Sequence, residues 1–152
     1  MPVSTALPVA LRRAAFLLAL AIAPVHAQHM VESGEFVVHY NALPTTQLPP
    51  EVARSYSITR SPNRALLNIS VQRRAADGTP ASATAQVQAS ATNLTGQRRE
   101  LAVREVRDQG AIYYLSETRV SNLETLIFDV VVQPEGAAAP ITLRFQQQFF
   151  TE

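Results

Sequence analysis

The chain has 152 residues, no cysteine, and thirteen basic residues that are all arginine, against twelve acidic ones. One domain is the expected organisation, and no disulfide framework or cysteine metal site can form. The absence of lysine removes Schiff-base chemistry and a P-loop lysine, and the balanced charge gives no basic face for nucleic acid.

Arg12 and Arg13 precede an apolar run from Ala14 to Ala23, which Pro24 breaks before Val25, His26 and Ala27. A charged start, a short apolar stretch and small residues before a cut form the secretory signal pattern. The expected domains are therefore a signal peptide over residues 1–27 and a mature domain over residues 28–152, exported to the periplasm. The alternative, a retained N-terminal anchor, is disfavoured because the run is short for a membrane span. With no cysteine, lipoprotein anchoring is excluded, and the mature chain is expected to carry no membrane span.

Phe36, Val38 and Tyr40 alternate with Val37 and His39, which predicts a first strand. Two prolines and Glu51 then predict a short helix over residues 49–56, lying across an end of a sheet. Ser61-Pro62-Asn63 makes a turn. After it comes the clearest strand, 65 to 74, in which Leu67, Ile69 and Val71 alternate with Asn68, Ser70 and Gln72. Leu66 breaks the polar side, so that end is expected to be covered on both faces. Asp77-Gly78 suits a tight hairpin, which would pair this strand with the next.

The next strand, 83 to 92, alternates throughout and has a nearly all-alanine apolar face. Small side chains there leave room for large aromatics such as Phe128 or Tyr114. Residues 98 to 107 predict a fourth strand with Leu101 and Val103 inward. Ala111 to Leu115, Thr125 to Val132 and Ile141 to Phe149 predict three more. Seven short strands with Gly, Asp and Pro between them, and one short helix, indicate an all-β, immunoglobulin-like antiparallel β-sandwich. Ala111-Ile112-Tyr113-Tyr114-Leu115 is similar to the Ala-x-Tyr-Tyr-Cys run of immunoglobulin variable domains. By that likeness Tyr113 is expected to tie its hydroxyl to backbone at a corner.

A more specific resemblance rests on three motifs in order. These are Tyr56-x-Ile58-x-Arg60-Ser61 leading into residues 65–71, then Asn93-Leu94-x-Gly96-Gln97 with Arg104-Glu105-Val106-Arg107, then Ala111 to Leu115. Together they resemble the bacterial exported family catalogued as domain of unknown function 4426. The resemblance implies a periplasmic location and a sandwich fold, and it supplies no catalytic residues and no cofactor.

Three chemistries remain. His29 and Met30, next to the expected new N-terminus, could gather copper with the terminal amine. Glu105 follows the inward phase of Leu101 and Val103, where Arg60 or Arg64 could pair with it in a carboxylate hydrolase; a bulge that turns Glu105 outward is the simpler expectation. The turn around Pro62 offers Tyr56, Arg60, Ser61, Asn63 and Arg64 as one end surface. Forked arginine donors and a flat tyrosine there suit a protein partner or another envelope component. The reading preferred on sequence is a non-catalytic periplasmic binding protein using that surface; oligomeric state is not specified.

Overall fold

The computed structural model describes residues 29–151. The expected signal peptide lies outside the described residues. Two antiparallel sheets pack into an immunoglobulin-like sandwich of ten strands, three more than the seven read from sequence. Sheet A holds β1 (His29–Ser33), β2 (Phe36–Pro44), β3 (Arg64–Arg74), β8 (Ala111–Arg119) and β7 (Arg104–Asp108) in that order, with β4 (Pro80–Ser82) pairing the end of β3. Sheet B runs β10 (Ile141–Gln148), β9 (Thr125–Pro134), β5 (Ala85–Asn93), β6 (Arg98–Leu101).

The alternation of β3 sets the layers. Leu67, Ile69 and Val71 are buried between the sheets with Val38, while Asn68, Ser70 and Gln72 lie on the other face of sheet A. Leu66 shares that outer face, where the short helix α1 (Pro50–Ser55) and its exit cover it. Ala53, Ile58, Leu66 and Leu115 form a second small buried cluster there. Facing the main layer are Ala89 and Ala91 of β5 and Phe128, Val130 and Val132 of β9. Ala91 sits opposite Phe128, so the alanine face makes the room that a large ring occupies.

Three sequence expectations are corrected. Strand β3 does pair with the segment after it, through β4 and the Ala83 N–H to the Val71 carbonyl, but that pairing is short and its main neighbours are β2 and β8. The segment 83–92 belongs to the other sheet. Residues 98–107 are not one strand: β6 ends at Leu101 in sheet B and β7 begins at Arg104 in sheet A, so the chain changes layers at Ala102 and Val103. A local alternation reports a face, not a sheet. Lastly, Tyr113 lies on the outer face against Tyr56, with ring centroids 6.1 Å apart, and it is Tyr114 whose hydroxyl accepts the Ala85 backbone N–H at 2.7 Å. One residue of phase exchanges the two faces of a strand.

The His29 end is ordered into the fold. Its ring stacks on Tyr40 at 5.4 Å, Tyr40 meets Phe145 at 4.8 Å, and Phe145 stacks on Phe128 at 5.0 Å. This aromatic series closes the seam between the β1–β2 edge of sheet A and β10 of sheet B.

Candidate functional site

The outer face of sheet A carries a recess of about 690 Å³ beside the part that α1 covers. Its polar lining comes from β2 and β3 in cross-strand register: His39 opposite Ser70, Asn41 opposite Asn68, and Gln72 next along β3. His29, Gln47 and Gln147 reach it from neighbouring segments, and among the described residues no arginine or carboxylate lines it. His39 Nε2 lies 3.2 Å from Gln72 Oε1, which fixes the imidazole against the sheet. Asn68 Oδ1 is buried and has no hydrogen-bond partner among the described residues. Such an atom costs about 1–3 kcal/mol unless something satisfies it. The β2 backbone adds a second feature. Strand β1 pairs with residues 36–40 only, so the edge from Asn41 to Pro44, along the recess, has no strand partner among the described residues.

The candidate copper pair divides across β1. His29 turns towards Tyr40 and Phe145 at the seam, while Met30 stands opposite His39 in register and is half exposed. The geometry therefore pairs Met30 with His39 rather than with the His29 side chain. Among the described residues no group of three or more His, Asp or Glu side chains gathers as a metal site.

The five residues proposed as an end surface all make contacts within the fold. The Tyr56 hydroxyl donates to Asp108 Oδ2 at 2.8 Å, and this bond, with partial burial, pushes the phenol up to about 12. Arg104 donates to the Tyr56 carbonyl. Arg60 donates to the Thr46 carbonyl at 2.9 Å, and the buried Thr45 hydroxyl donates to the Ser61 carbonyl and accepts from its N–H. The Asn63 carbonyl accepts from Val120 N–H, and Arg64 pairs with Glu117 at 3.0 Å. Ser61, Asn63 and Arg64 do share a second cleft, of about 680 Å³, with Arg99, Arg119 and Glu124; Tyr56 and Arg60 do not line it.

Glu105 pairs with neither Arg60 nor Arg64. Opposite Tyr114 in register, it keeps the inward phase, yet it is exposed because β7 is an edge strand. It accepts from Arg107 Nε at 2.6 Å and from the Tyr114 hydroxyl at 3.3 Å. No bulge is needed to bring it to solvent.

Sequence reasoning missed the recess, because Asn68, Ser70 and Gln72 read as an ordinary solvated strand face. The signal that could have found it was Asn41 and His39 in the same phase on the preceding strand.

Comparison with known proteins agrees with this architecture. No curated protein matches the sequence. A DUF4426 family protein from Pseudomonas aeruginosa PAO1 is 32% identical, covering 81% of this chain and 94% of its own, with a TM-score of 0.68. FetP of uropathogenic Escherichia coli strain F11, recombinantly expressed in the periplasm, shares the fold at 8% identity, covering 81% of this chain and 93% of its own, with a TM-score of 0.57. A copper-bound FetP variant gives 8% identity, 81% and 90% coverage, and a TM-score of 0.52. The family model described as a domain of unknown function, DUF4426, matches residues 30–152, and the chain belongs to that family.

Proposed function

We propose that this is an exported, non-catalytic periplasmic binding protein whose ligand is an uncharged extended polypeptide segment held in the recess on sheet A. The observation that carries the reading is Asn68 Oδ1, without a hydrogen-bond partner among the described residues, in a recess lined by amide, hydroxyl and imidazole groups. An extended backbone supplies donors and acceptors of that kind, and the unpaired β2 edge from Asn41 to Pro44 offers it strand-type hydrogen bonds. The export half rests on the signal pattern ending at Ala27 and predicts Gln28 as the mature N-terminus, which intact mass of periplasmic protein would test.

The binding half is tested by placing a photocrosslinking residue at Ser70, in the recess, or at Gln88, on the outer face of sheet B. Adducts at Ser70 alone support the reading. Equal adducts at both positions, or none at Ser70, defeat it.

A second reading is copper handling. Met30 thioether and His39 imidazole stand opposite each other on one face, a soft donor pair suited to monovalent copper, and a copper-bound FetP variant shares the fold. Titration of the mature protein with Cu(I), beside Met30→Ala and His39→Ala, decides it: binding that both substitutions abolish supports it, and binding that both retain ends it.

A further inference from the structure

Beyond the recess, one end of the sandwich gathers features that the fold itself does not require. Three segments meet there: the β5–β6 hairpin, the β8–β9 connection and the chain after β10. Hydrogen bonds join the last two of them, Phe149 N–H to the Glu124 carbonyl at 2.8 Å, Thr151 N–H to Asn122 Oδ1 at 3.0 Å, and Gln148 Nε2 to the Leu123 carbonyl at 3.1 Å. Each segment exposes one large apolar side chain: Leu94 is 72% exposed, Leu123 59% and Phe150 60%. Leu123 is also held at a φ of 62°, a left-handed conformation that a leucine adopts at a cost. The left-handed backbone costs stability, and the exposed Leu123 side chain buries no surface in the monomer to offset it.

At this end also lies the second cleft, polar and lined by Arg64, Arg99 and Arg119 together with Glu124. Arg64 is matched by Glu117, and Arg99 lies 3.7 Å from Glu124 while donating to the Arg119 carbonyl at 2.9 Å. Arg119 has no carboxylate within ion-pair distance among the described residues, although it stands directly opposite Arg64 in register. Two like charges placed opposite each other disfavour the sheet unless an anion joins them.

We propose that this end of the sandwich docks on an anionic phospholipid surface, with Arg64 and Arg119 at the phosphate and Leu94, Leu123 and Phe150 entering the interfacial layer. The arrangement fits a bilayer because the cationic cleft and the apolar tips come from separate loops around one end, and a lipid surface offers anionic heads and acyl carbon together. A free anion would use the arginines alone.

The test is sedimentation of the mature protein with vesicles of phosphatidylethanolamine and phosphatidylglycerol, against phosphatidylethanolamine–phosphatidylcholine vesicles lacking anionic lipid. Binding should require the anionic lipid and weaken with salt. Arg119→Gln should reduce it about fivefold, and Leu94→Ser with Leu123→Gly and Phe150→Ser by about tenfold or more, each with an unchanged melting curve. Should the triple variant melt early, Leu123→Gly alone, which relieves the strained backbone, carries the test and should still weaken binding. Equal binding to neutral vesicles, full binding by these variants, or displacement of the protein by inorganic phosphate would each overturn the proposal.

Discussion

Ala85 donates its backbone N–H across the sandwich to the hydroxyl of Tyr114 at 2.7 Å, which ties β5 of sheet B to β8 of sheet A at a buried point. The same hydroxyl lies 3.3 Å from Glu105 Oε2, so it accepts from one sheet and donates within the other. Burial is the main reason the Tyr114 phenol is raised.

Tyr114→Phe removes the acceptor and leaves the Ala85 N–H buried without a partner. The expected loss is about 1–3 kcal/mol, the cost of an orphaned buried donor. Urea denaturation measures it. A loss below experimental error would mean that the two sheets are joined at this point by packing alone.

Ile69 is fully buried at the centre of β3. Ile69→Ala should destabilise by about 2–5 kcal/mol, as large-to-small core changes do. An unchanged denaturation midpoint would contradict the inward register of Leu67, Ile69 and Val71.

Tyr56 makes a pH prediction. Its phenol rises from 10.0 to about 12 because it donates to Asp108, so the folded state favours the neutral form. That contribution is whole below the unfolded value near 10 and is lost as pH rises through about 12. Tyr56→Phe should therefore flatten part of the stability loss between about pH 10 and about pH 12, as followed by urea denaturation at each pH. An identical alkaline decline in both proteins would exclude the Tyr56–Asp108 bond as its source.

Arg60→Ala and Arg64→Ala separate bracing from binding. Each side chain holds a partner near the surface, the Thr46 carbonyl or the Glu117 carboxylate. Each loss should cost about 1 kcal/mol or less, the range of partly exposed pairs. Thermal melts give the structural part, and periplasmic crosslinking gives the rest. A double variant that melts normally but loses its crosslinks would support the end surface as a protein-partner site; one that keeps every crosslink would remove these arginines from protein binding.

The sequence by itself determined the main strands and their apolar faces, although β1, β4 and the break between β6 and β7 were not legible in it. Leu67, Ile69 and Val71 are legible because a strand alternates with period two whatever its neighbours do. The alanines of β5 likewise announced space for a ring, which Phe128 occupies opposite Ala91. Pairing is another matter, because alternation carries no label for the partner. Only the tertiary structure decided that residues 98–107 cross from one sheet to the other, and that Tyr114 rather than Tyr113 bridges them. The same limit hid the recess and the apolar end. Asn41 meets Asn68 because β2 and β3 pair in that register, and the segments that carry Phe150 and Leu123 are joined by hydrogen bonds from Gln148 and Phe149. Local chemistry set the face of each residue; long-range backbone pairing set its neighbours, and the candidate sites are made of neighbours.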